Sequence, residues 1–154
     1  MTKVTRSMIL SLLVVAVLGV FALPAFAQTS TFTRNYTESQ VNQAYRVSNP
    51  RRAAISSITV DLQPGQAVIS STHNYRQATY NVVTTVAPNV ANGRPNWTII
   101  SIVAQNGESL PADVTEQVRS FVTSRWGNFA RTQRNTTLQS VVITDSDITY
   151  TYSR

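Results

Sequence analysis

The sequence predicts an α+β fold, in which a curved antiparallel sheet packs against one long and one short helix. Residues 53–104 favour strands, because β-branched side chains recur at alternate positions between turn-forming pairs. Residues 110–129 instead carry apolar side chains at helical spacing, and residues 138–152 return to the strand pattern. A four-strand meander, a long helix and a terminal strand or hairpin are typical of an α+β layout.

The chain begins with a predicted secretory signal peptide, residues 1–27. Lys3 and Arg6 precede an apolar run over residues 9–23. The run is followed by Pro24 and by the sequence AFA at 25–27, which is typical of a cleavage site. A retained membrane anchor is the alternative, but a spanning helix needs about 20 apolar residues and this run is shorter. We therefore expect a secreted protein, extracellular or periplasmic, that meets a membrane only if this segment is left uncleaved.

Residues 28–36 are polar and are expected to form a flexible leader, and residues 37–154 a single domain. Removal of Lys3 and Arg6 with the signal peptide leaves eleven arginines against seven acids, a net charge of +4. Beyond residue 27 the chain has no Cys, Lys or Met, which excludes thiol nucleophiles, Schiff-base lysines and Cys-based zinc sites. The modest charge and the expected secretion also argue against a nucleic-acid partner.

A short helix is predicted to begin at Thr37. Thr37 and Gln40 form a capping-box pattern, in which each side chain serves the backbone donor of the other residue. Val41 and Tyr45 continue as an apolar edge, and the sequence SNP at 48–50 is expected to end the helix.

Four strands are predicted between residues 53 and 104. In the first, Ile58, Val60 and Leu62 alternate with polar residues, and the Pro-Gly pair at 64–65 suits a type II turn. The strand at 97–104 is the most apolar and is therefore expected near the centre of the sheet. The remaining predicted parts are a return strand at 67–75, a third strand at 79–87 that Pro88 closes, and a turn at Asn92-Gly93.

The long helix is predicted over residues 110–129, with Pro111 in its first turn. Its apolar side chains fall within an arc of roughly 160° at 100° per residue, which makes one broad apolar face. They are Leu110, Val114, Val118, Phe121, Val122, Trp126 and Phe129.

One bent strand or two consecutive strands are predicted at 138–144 and 147–152, joined at Asp145-Ser146-Asp147. The two aspartates could hold a hard cation, but calcium requires about 6 to 8 oxygen ligands and no further ligands follow. We expect the aspartates to bond the local backbone of a turn, and we predict no metal and no cofactor site.

His73, the only histidine, lies in a predicted strand. It could act as a general base, but no motif supplies a nucleophile or a carboxylate partner, so we expect an exposed or edge-strand residue. Glu38, Glu108 and Glu116 could in principle supply a carboxylate pair for hydrolysis, although nothing in the sequence brings two of them together. We therefore predict no catalytic residues and a protein that is not an enzyme.

Arginines near the first strand and the long helix could bind an anionic lipid or polymer. Lipid surfaces usually require clusters of about 4 to 8 basic residues, and these do not cluster opposite the apolar arc. We expect solvated side chains at Arg51, Arg52, Arg119, Arg125, Arg131 and Arg134.

The aromatic side chains around the long helix could form the core or line a cavity between helix and sheet. The breadth of the apolar helix face leaves room for such a cavity. Its candidate ligand-binding residues are Trp97, Val118, Phe121, Val122 and Trp126.

Four segments carry a resemblance to a known group of proteins: TESQVN at 37–42, VDLQPG at 60–65, NG at 92–93 and NGESLP at 106–111. In these the chain resembles small secreted bacterial proteins of unknown function with a single tubular-lipid-binding-like domain. The resemblance implies a helix wrapped by a curved sheet, with a groove for an acyl chain or another apolar ligand.

The sequence thus predicts a secreted or envelope-located, non-enzymatic binding protein. Its ligand is expected to be a lipid or another apolar small molecule, held between the long helix and the sheet. The alternative is a structural or protein-interaction domain that binds an envelope protein through a sheet edge and has no ligand cavity.

Overall fold

The computed structural model describes residues 30–47, 54–126 and 135–154 as an α+β protein with two antiparallel sheets and two helices. The predicted signal peptide lies outside the described residues and stays a prediction. In the described part, no helix is long and apolar enough to cross a membrane. The elements are β1 (Thr31–Thr37), α1 (Glu38–Ala44), β2 (Ile55–Gln63), β3 (Gln66–Tyr75), β4 (Ala78–Ala91), β5 (Arg94–Ala104), α2 (Ala112–Arg125), β6 (Thr137–Ile143) and β7 (Asp147–Ser153).

Of the two C-terminal alternatives, a bent strand or two strands, the structure has two strands paired as a hairpin, but they belong to a second sheet, in the order β1-β7-β6. Its third strand, β1, covers most of the segment that we expected to be a flexible leader. Phe32 stacks on Tyr152 at 5.2 Å between ring centroids, and Tyr36 meets Tyr150 edge-on at 5.8 Å. Residues 31–36 therefore form a strand rather than a flexible leader, because the far end of the chain supplies both backbone and aromatic partners.

The predicted meander is confirmed as an antiparallel sheet of four strands in the order β2-β3-β4-β5. Gly65 has a φ of +78° in the turn between β2 and β3, which a type II turn requires at its third position. Asn92 and Gly93, with φ of 53° and 69°, form the two-residue turn between β4 and β5. The single curved sheet that the sequence predicted is thus divided into two.

Strand β4 is longer than predicted, because it continues through Pro88 to Ala91. Pro88 pairs with Trp97 of β5, whereas β3 pairs with β4 only as far as Val86. A proline is tolerated in a strand where its missing N–H would have had no partner strand. The expectation that Pro88 closes the strand is therefore wrong.

Both helices begin near their predicted positions. The capping box of α1 is confirmed: the Gln40 N–H donates to Thr37 Oγ1 at 3.3 Å, and the Thr37 N–H donates to Gln40 Oε1 at 3.0 Å. In α2, Pro111 is the N-terminal cap rather than a first-turn residue, and its carbonyl accepts from the Thr115 N–H at 3.0 Å. The predicted end of α2 at Phe129 lies outside the described residues.

Buried residues of both sheets and both helices form one continuous hydrophobic cluster. The two sheets are joined at the tips of the meander. The Gly65 N–H donates to the Ile143 carbonyl at 3.1 Å, and the Leu138 N–H donates to the Gly93 carbonyl at 2.9 Å. Two of the three turns of the meander, those at Gly65 and Gly93, therefore bond to β6.

Candidate functional site

The five candidate ligand-binding residues all lie between α2 and the four-stranded sheet. Val118, Val122 and Trp126 belong to the buried core, whereas Trp97 and Phe121 are partly buried against it. The Trp97 ring meets the Trp126 ring edge-on, with the centroids 5.4 Å apart. At least at this end of α2, the aromatic side chains pack on one another.

Tyr45 completes this aromatic group from the end of α1. Its ring stacks on Trp126 at 4.9 Å, and its hydroxyl donates to the Trp126 carbonyl at 3.3 Å. Burial raises the pKa of Tyr45 well above its usual range. Tyr45, Trp126 and Trp97 thus connect α1, α2 and β5 through one row of rings.

His73 is fully buried on the inner face of β3, so the expectation of an exposed or edge-strand histidine is wrong. Its Nε2 lies 2.9 Å from Ser71 Oγ, and its ring meets the Phe121 ring edge-on at 6.3 Å. Burial lowers the pKa of His73, which favours the neutral ring. A serine within hydrogen-bond distance of a histidine has the composition of a nucleophile–base pair. Ser71 is buried, however, and no described residue bonds His73 Nδ1 to orient the ring.

Other buried polar atoms lie on the same helix–sheet interface. Thr84 Oγ1 of β4 and Gln117 Oε1 of α2 have no hydrogen-bond partner in the described part of the chain. Gln117 precedes Phe121 by one helical turn, and Phe121 contacts His73. A buried polar atom without a hydrogen-bond partner lowers the free energy of unfolding by about 1 to 3 kcal/mol. The described side chains at this interface therefore leave hydrogen-bonding groups without partners.

One outer edge of the meander, that of β2, is covered by two side chains of α1. The Asn42 Nδ2 donates to the Val60 carbonyl at 2.8 Å, and Asn42 Oδ1 accepts from the Val60 N–H at 2.7 Å. Glu38 Oε2 accepts from the Leu62 N–H at 2.9 Å. Glu38 and Asn42 thus take the place of a neighbouring strand.

The other outer edge is that of β5, which we expected at the centre of the sheet; that prediction is wrong. The Gln105 N–H donates to the Asn81 carbonyl, and Arg94 closes the turn opposite Ala91. The N–H groups of Arg94 and Gln105 therefore point toward β4. Because N–H groups alternate in direction along a strand, except at the bulge, the directions of the other N–H groups of β5 follow from these two. On the side facing away from β4 lie the N–H groups of Trp97, Ile99, Ile102 and Ala104.

We call this side of β5 the free edge. No hydrogen bond joins the outward N–H groups of β5 to another described residue. The free edge also has no charged side chain between Arg94 and Glu108, whereas the outer strand β1 of the other sheet contains Arg34. Exposed edges usually carry charges, prolines, bulges or covering elements that discourage pairing, and over this stretch β5 has Pro95 and one bulge.

A β-bulge interrupts β5 in the middle, where Thr85 pairs with Ser101 but Val86 pairs with Ile99. Ile100 is the additional residue, and its side chain is 58% exposed. Val103, on the outer face of the sheet opposite Val83, is 49% exposed. The free edge is thus accompanied by two large apolar side chains in contact with solvent.

A groove of about 380 Å³ lies at the C-terminal end of β5. It is lined by residues of β4, of the end of β5 and of the connection to α2: Thr79, Tyr80, Asn81, Ala104, Gln105, Asn106, Glu108, Ser109 and Leu110. The lining is largely polar, and the candidate ligand-binding residues do not contribute to it. Its position places a polar recess beside the end of the free edge.

The charged groups of the described residues form local pairs rather than a cluster. Arg76 lies 3.4 Å from Asp113 and Arg119 lies 3.5 Å from Glu116, with all four side chains largely exposed. Arg51, Arg52, Arg131 and Arg134 lie outside the described residues, as does the side chain of Arg125. The expectation that aspartates bond the backbone of this turn is wrong for Asp147, whose Oδ2 accepts from Ser146 Oγ and whose Oδ1 accepts from Thr149 Oγ1. Thr144 Oγ1 instead accepts from the Ser146 and Asp147 N–H groups.

Within the described ranges, no group of three or more His, Asp or Glu side chains could hold a metal ion. No protein-family model matches the chain, and neither a curated protein nor a solved structure matches it. The resemblance to tubular-lipid-binding-like proteins therefore stays a prediction. The candidate site is defined by its own geometry: among the described residues, one outer edge of the meander is bonded by α1 side chains and the other has no backbone partner.

Proposed function

We propose that the protein is a non-enzymatic interaction module, secreted or held in the cell envelope, that binds an extended peptide strand along the free edge of β5. The observation that carries this proposal is the difference between the two outer edges of the meander. Asn42 and Glu38 bond the backbone of β2, whereas the outward N–H groups of β5 have no partner among the described residues. An added strand would satisfy them through main-chain hydrogen bonds.

The side chains next to this edge support the same proposal. Ile100 and Val103 would lose contact with water when a strand covers them, which contributes about 25 cal/mol per Å² of apolar surface buried. The lack of charge along the strand removes the repulsion that usually keeps edges apart. Main-chain bonds would supply affinity, and these two side chains would select the residues of the added strand.

Site-specific photocrosslinking tests this function in the cells that make the protein. A photoreactive phenylalanine analogue is placed at Val103, and the matched control places it at Val142, which is 53% exposed on β6. We expect crosslinks from position 103 to one continuous segment of a protein partner, identified by mass spectrometry, and none from position 142. Equal crosslinking at both positions, or none at position 103, would contradict a binding edge at β5.

A second candidate function is the binding of a lipid or another amphiphile between α2 and the four-stranded sheet. The specific observation in its favour is the set of buried polar atoms without partners, His73 Nδ1, Thr84 Oγ1 and Gln117 Oε1. The polar end of an amphiphile could bond these atoms, and its apolar part would lie against the candidate ligand-binding residues. Against it, Trp97 and Trp126 are already in contact with each other.

Native mass spectrometry of the purified protein, combined with uptake of a fluorescent fatty acid, tests this second candidate. Binding at the interface predicts a lipid adduct and an uptake that falls when Phe121 is replaced by Asp. The control variant Thr123→Asp, at an exposed position of the same helix, should leave uptake unchanged. If the measured mass shows no bound lipid and the fatty acid is not taken up, binding of an amphiphile at this interface is excluded.

A further inference from the structure

We propose that the polar groove at the C-terminal end of β5 binds a neutral saccharide unit. The groove has a volume of about 380 Å³, within the range of about 300 to 1,000 Å³ that is usual for small-molecule sites. This inference goes beyond strand binding at β5, because no residue from Trp97 to Val103 lines the groove. The two sites meet only at the last residue of the strand.

The groove forms where β4 extends further than its partner β5. Strand β4 pairs with β3 from its first residue, but it pairs with β5 only from Val82 onwards. Beyond β5, the Gln105 N–H still donates to the Asn81 carbonyl at 2.9 Å. The Gly107 N–H then donates to the Ala104 carbonyl at 3.0 Å and turns the chain away from the sheet. The connection to α2 therefore leaves a recess beside the first residues of β4.

The backbone of β4 presents both donors and acceptors to this recess. Because the Asn81 carbonyl points toward Gln105, the Asn81 N–H and both backbone groups of Thr79 point to the same side of the strand. On this side, none of these three groups has a backbone partner among the described residues. A ligand in the groove can therefore bond to the main chain as well as to side chains.

Hydrogen bonds within the protein determine which way two amides of the groove face. Asn81 Oδ1 accepts from Thr72 Oγ1 at 2.9 Å, and Asn106 Oδ1 accepts from the Glu108 N–H at 3.1 Å. Each amide oxygen thus already has a donor, whereas no described residue accepts from either Nδ2 atom. Asn81 and Asn106 therefore offer N–H donors to a ligand.

Glu108 supplies the complementary group. An ionised carboxylate only accepts hydrogen bonds, and no described arginine forms an ion pair with Glu108. The side chains of Gln105 and Ser109 make no hydrogen bond within the described part of the chain, and each adds a donor and an acceptor. The groove thus requires a ligand that both donates and accepts.

A hydroxyl group meets this requirement, because it donates one hydrogen bond and accepts others. A phosphate would face Glu108 without any arginine in the lining, and an ammonium group could not accept from the amides of Asn81 and Asn106. Adjacent hydroxyls of a sugar ring satisfy the amides and the carboxylate together. Tyr80 and Leu110 add apolar surface to the lining, which suits the C–H face of a sugar.

Nuclear magnetic resonance titration of the isotope-labelled full-length chain, purified as its host delivers it, tests this site. The neutral saccharides are cellobiose, chitobiose and maltose, and the comparison probes are ethanolamine, which carries an ammonium group, and inorganic phosphate. We expect saturable shifts of the Gln105, Asn106 and Ser109 amides with at least one saccharide and with neither comparison probe. If no saccharide shifts these amides, or if ethanolamine or phosphate shifts them equally, the proposal is overturned.

Glu108→Gln is the most specific variant, because it replaces the acceptor-only carboxylate by an amide of nearly the same shape. It should weaken binding of the saccharide that gives shifts about tenfold. The control Glu116→Gln changes an exposed glutamate of α2 outside the groove and should leave the affinity unchanged. Circular dichroism confirms that both variants fold. Equal affinities in the two variants would overturn the assignment of Glu108 as a ligand of the saccharide.

Tyr80→Leu tests the apolar side of the groove, because it removes the aromatic ring and keeps an apolar side chain. It should weaken saccharide binding and leave the Glu108→Gln effect in place. The outcomes also separate this site from the binding edge. Crosslinks from position 103 without saccharide shifts would remove the groove and leave the edge, and saccharide shifts without crosslinks would do the reverse.

Discussion

At the scale of single residues, Asn42 shows how a polar side chain can replace part of a sheet. Its amide both donates to and accepts from the backbone of Val60, in the same way as a residue of a neighbouring strand. Glu38 does the same for the Leu62 N–H. The segment 37–42 suggested a resemblance to other proteins, and its residues serve to cap a helix and to cover a strand edge.

We predict that Asn42→Ala lowers the free energy of unfolding by about 1 to 3 kcal/mol, because both backbone groups of Val60 lose their partner. Urea unfolding followed by circular dichroism measures the change. Gln43→Ala, at an exposed position of the same helix, is the control and should change stability by less than about 0.5 kcal/mol. Similar values for the two variants would show that Asn42 does not stabilise β2.

His73 should make stability depend on pH, because burial lowers its pKa below the usual value of about 6.5. The unfolded chain then binds a proton at a higher pH than the folded protein does. Stability is therefore complete above about pH 6.5 and decreases as the pH falls below this value, by at most about 1.4 kcal/mol per pH unit. The ring bonds Ser71 and meets Phe121 edge-on, and neither side chain carries a charge that would offset this effect.

The measurement is urea unfolding at several pH values between 8 and 5, compared with the variant His73→Gln. We expect the variant to be less stable at pH 8 but to lose the decrease between pH 6.5 and 5. The remaining dependence belongs to carboxyl groups, which titrate nearer pH 4. A decrease of the same size in wild type and variant would show that His73 does not titrate differently on folding.

At the scale of elements, the sequence predicted those features that depend on neighbouring residues. The capping box at Thr37, the Pro-Gly and Asn-Gly turns and the C-terminal hairpin are all local, and all were confirmed. Strand β1 was missed because its partner β7 lies at the other end of the chain. No local signal distinguishes a polar leader from a strand whose partner is that distant.

The position of β5 was mistaken for a related reason. The sequence WTIISIVA has apolar residues at both odd and even positions, which is typical of a strand buried on both faces. In the structure, the bulge at Ile100 changes which positions face inward, so that Ile99 and Ile102 share one face. An edge strand with a bulge and a central strand therefore have the same apolar pattern.

The candidate ligand-binding residues on α2 were predicted by helical spacing, and Val118 provides a test of their role. Val118 is fully buried, so Val118→Ala should lower the free energy of unfolding by about 2 kcal/mol if it packs in the core. Ser120→Ala, at an exposed position of α2, is the control. Thermal unfolding measures both variants; a small change for Val118→Ala would instead favour a ligand space beside it.

At the scale of the whole molecule, the two sheets depend on contacts at the turns of the meander. The turn between β2 and β3 bonds to the end of β6, and the turn between β4 and β5 bonds to its beginning. Strand β6 is therefore held at both ends by turns of the other sheet. The outward N–H groups of β5, by contrast, have no backbone partner among the described residues.

The contact at Gly93 should be the most sensitive point of this junction. Gly93 has a φ of +69°, and a Cβ atom there would lie 2.6 Å from Thr137 Cγ2 of β6. Gly65 has a similar φ of +78°, but a Cβ atom on it would meet no atom within 4 Å. Gly65→Ala is thus a matched control that carries the backbone strain without the steric clash.

We predict that Gly65→Ala costs about 1 kcal/mol, the usual cost of a left-handed backbone for a residue with a side chain. Gly93→Ala should cost about 2 to 4 kcal/mol, because the added methyl group also displaces Thr137 and weakens the bond between the Leu138 N–H and the Gly93 carbonyl. Urea unfolding gives the two free energies, and hydrogen exchange at the Leu138 amide reports the junction directly. Faster exchange at Leu138 in Gly93→Ala but not in Gly65→Ala would establish that the two sheets are joined at this turn, and equal effects would refute it.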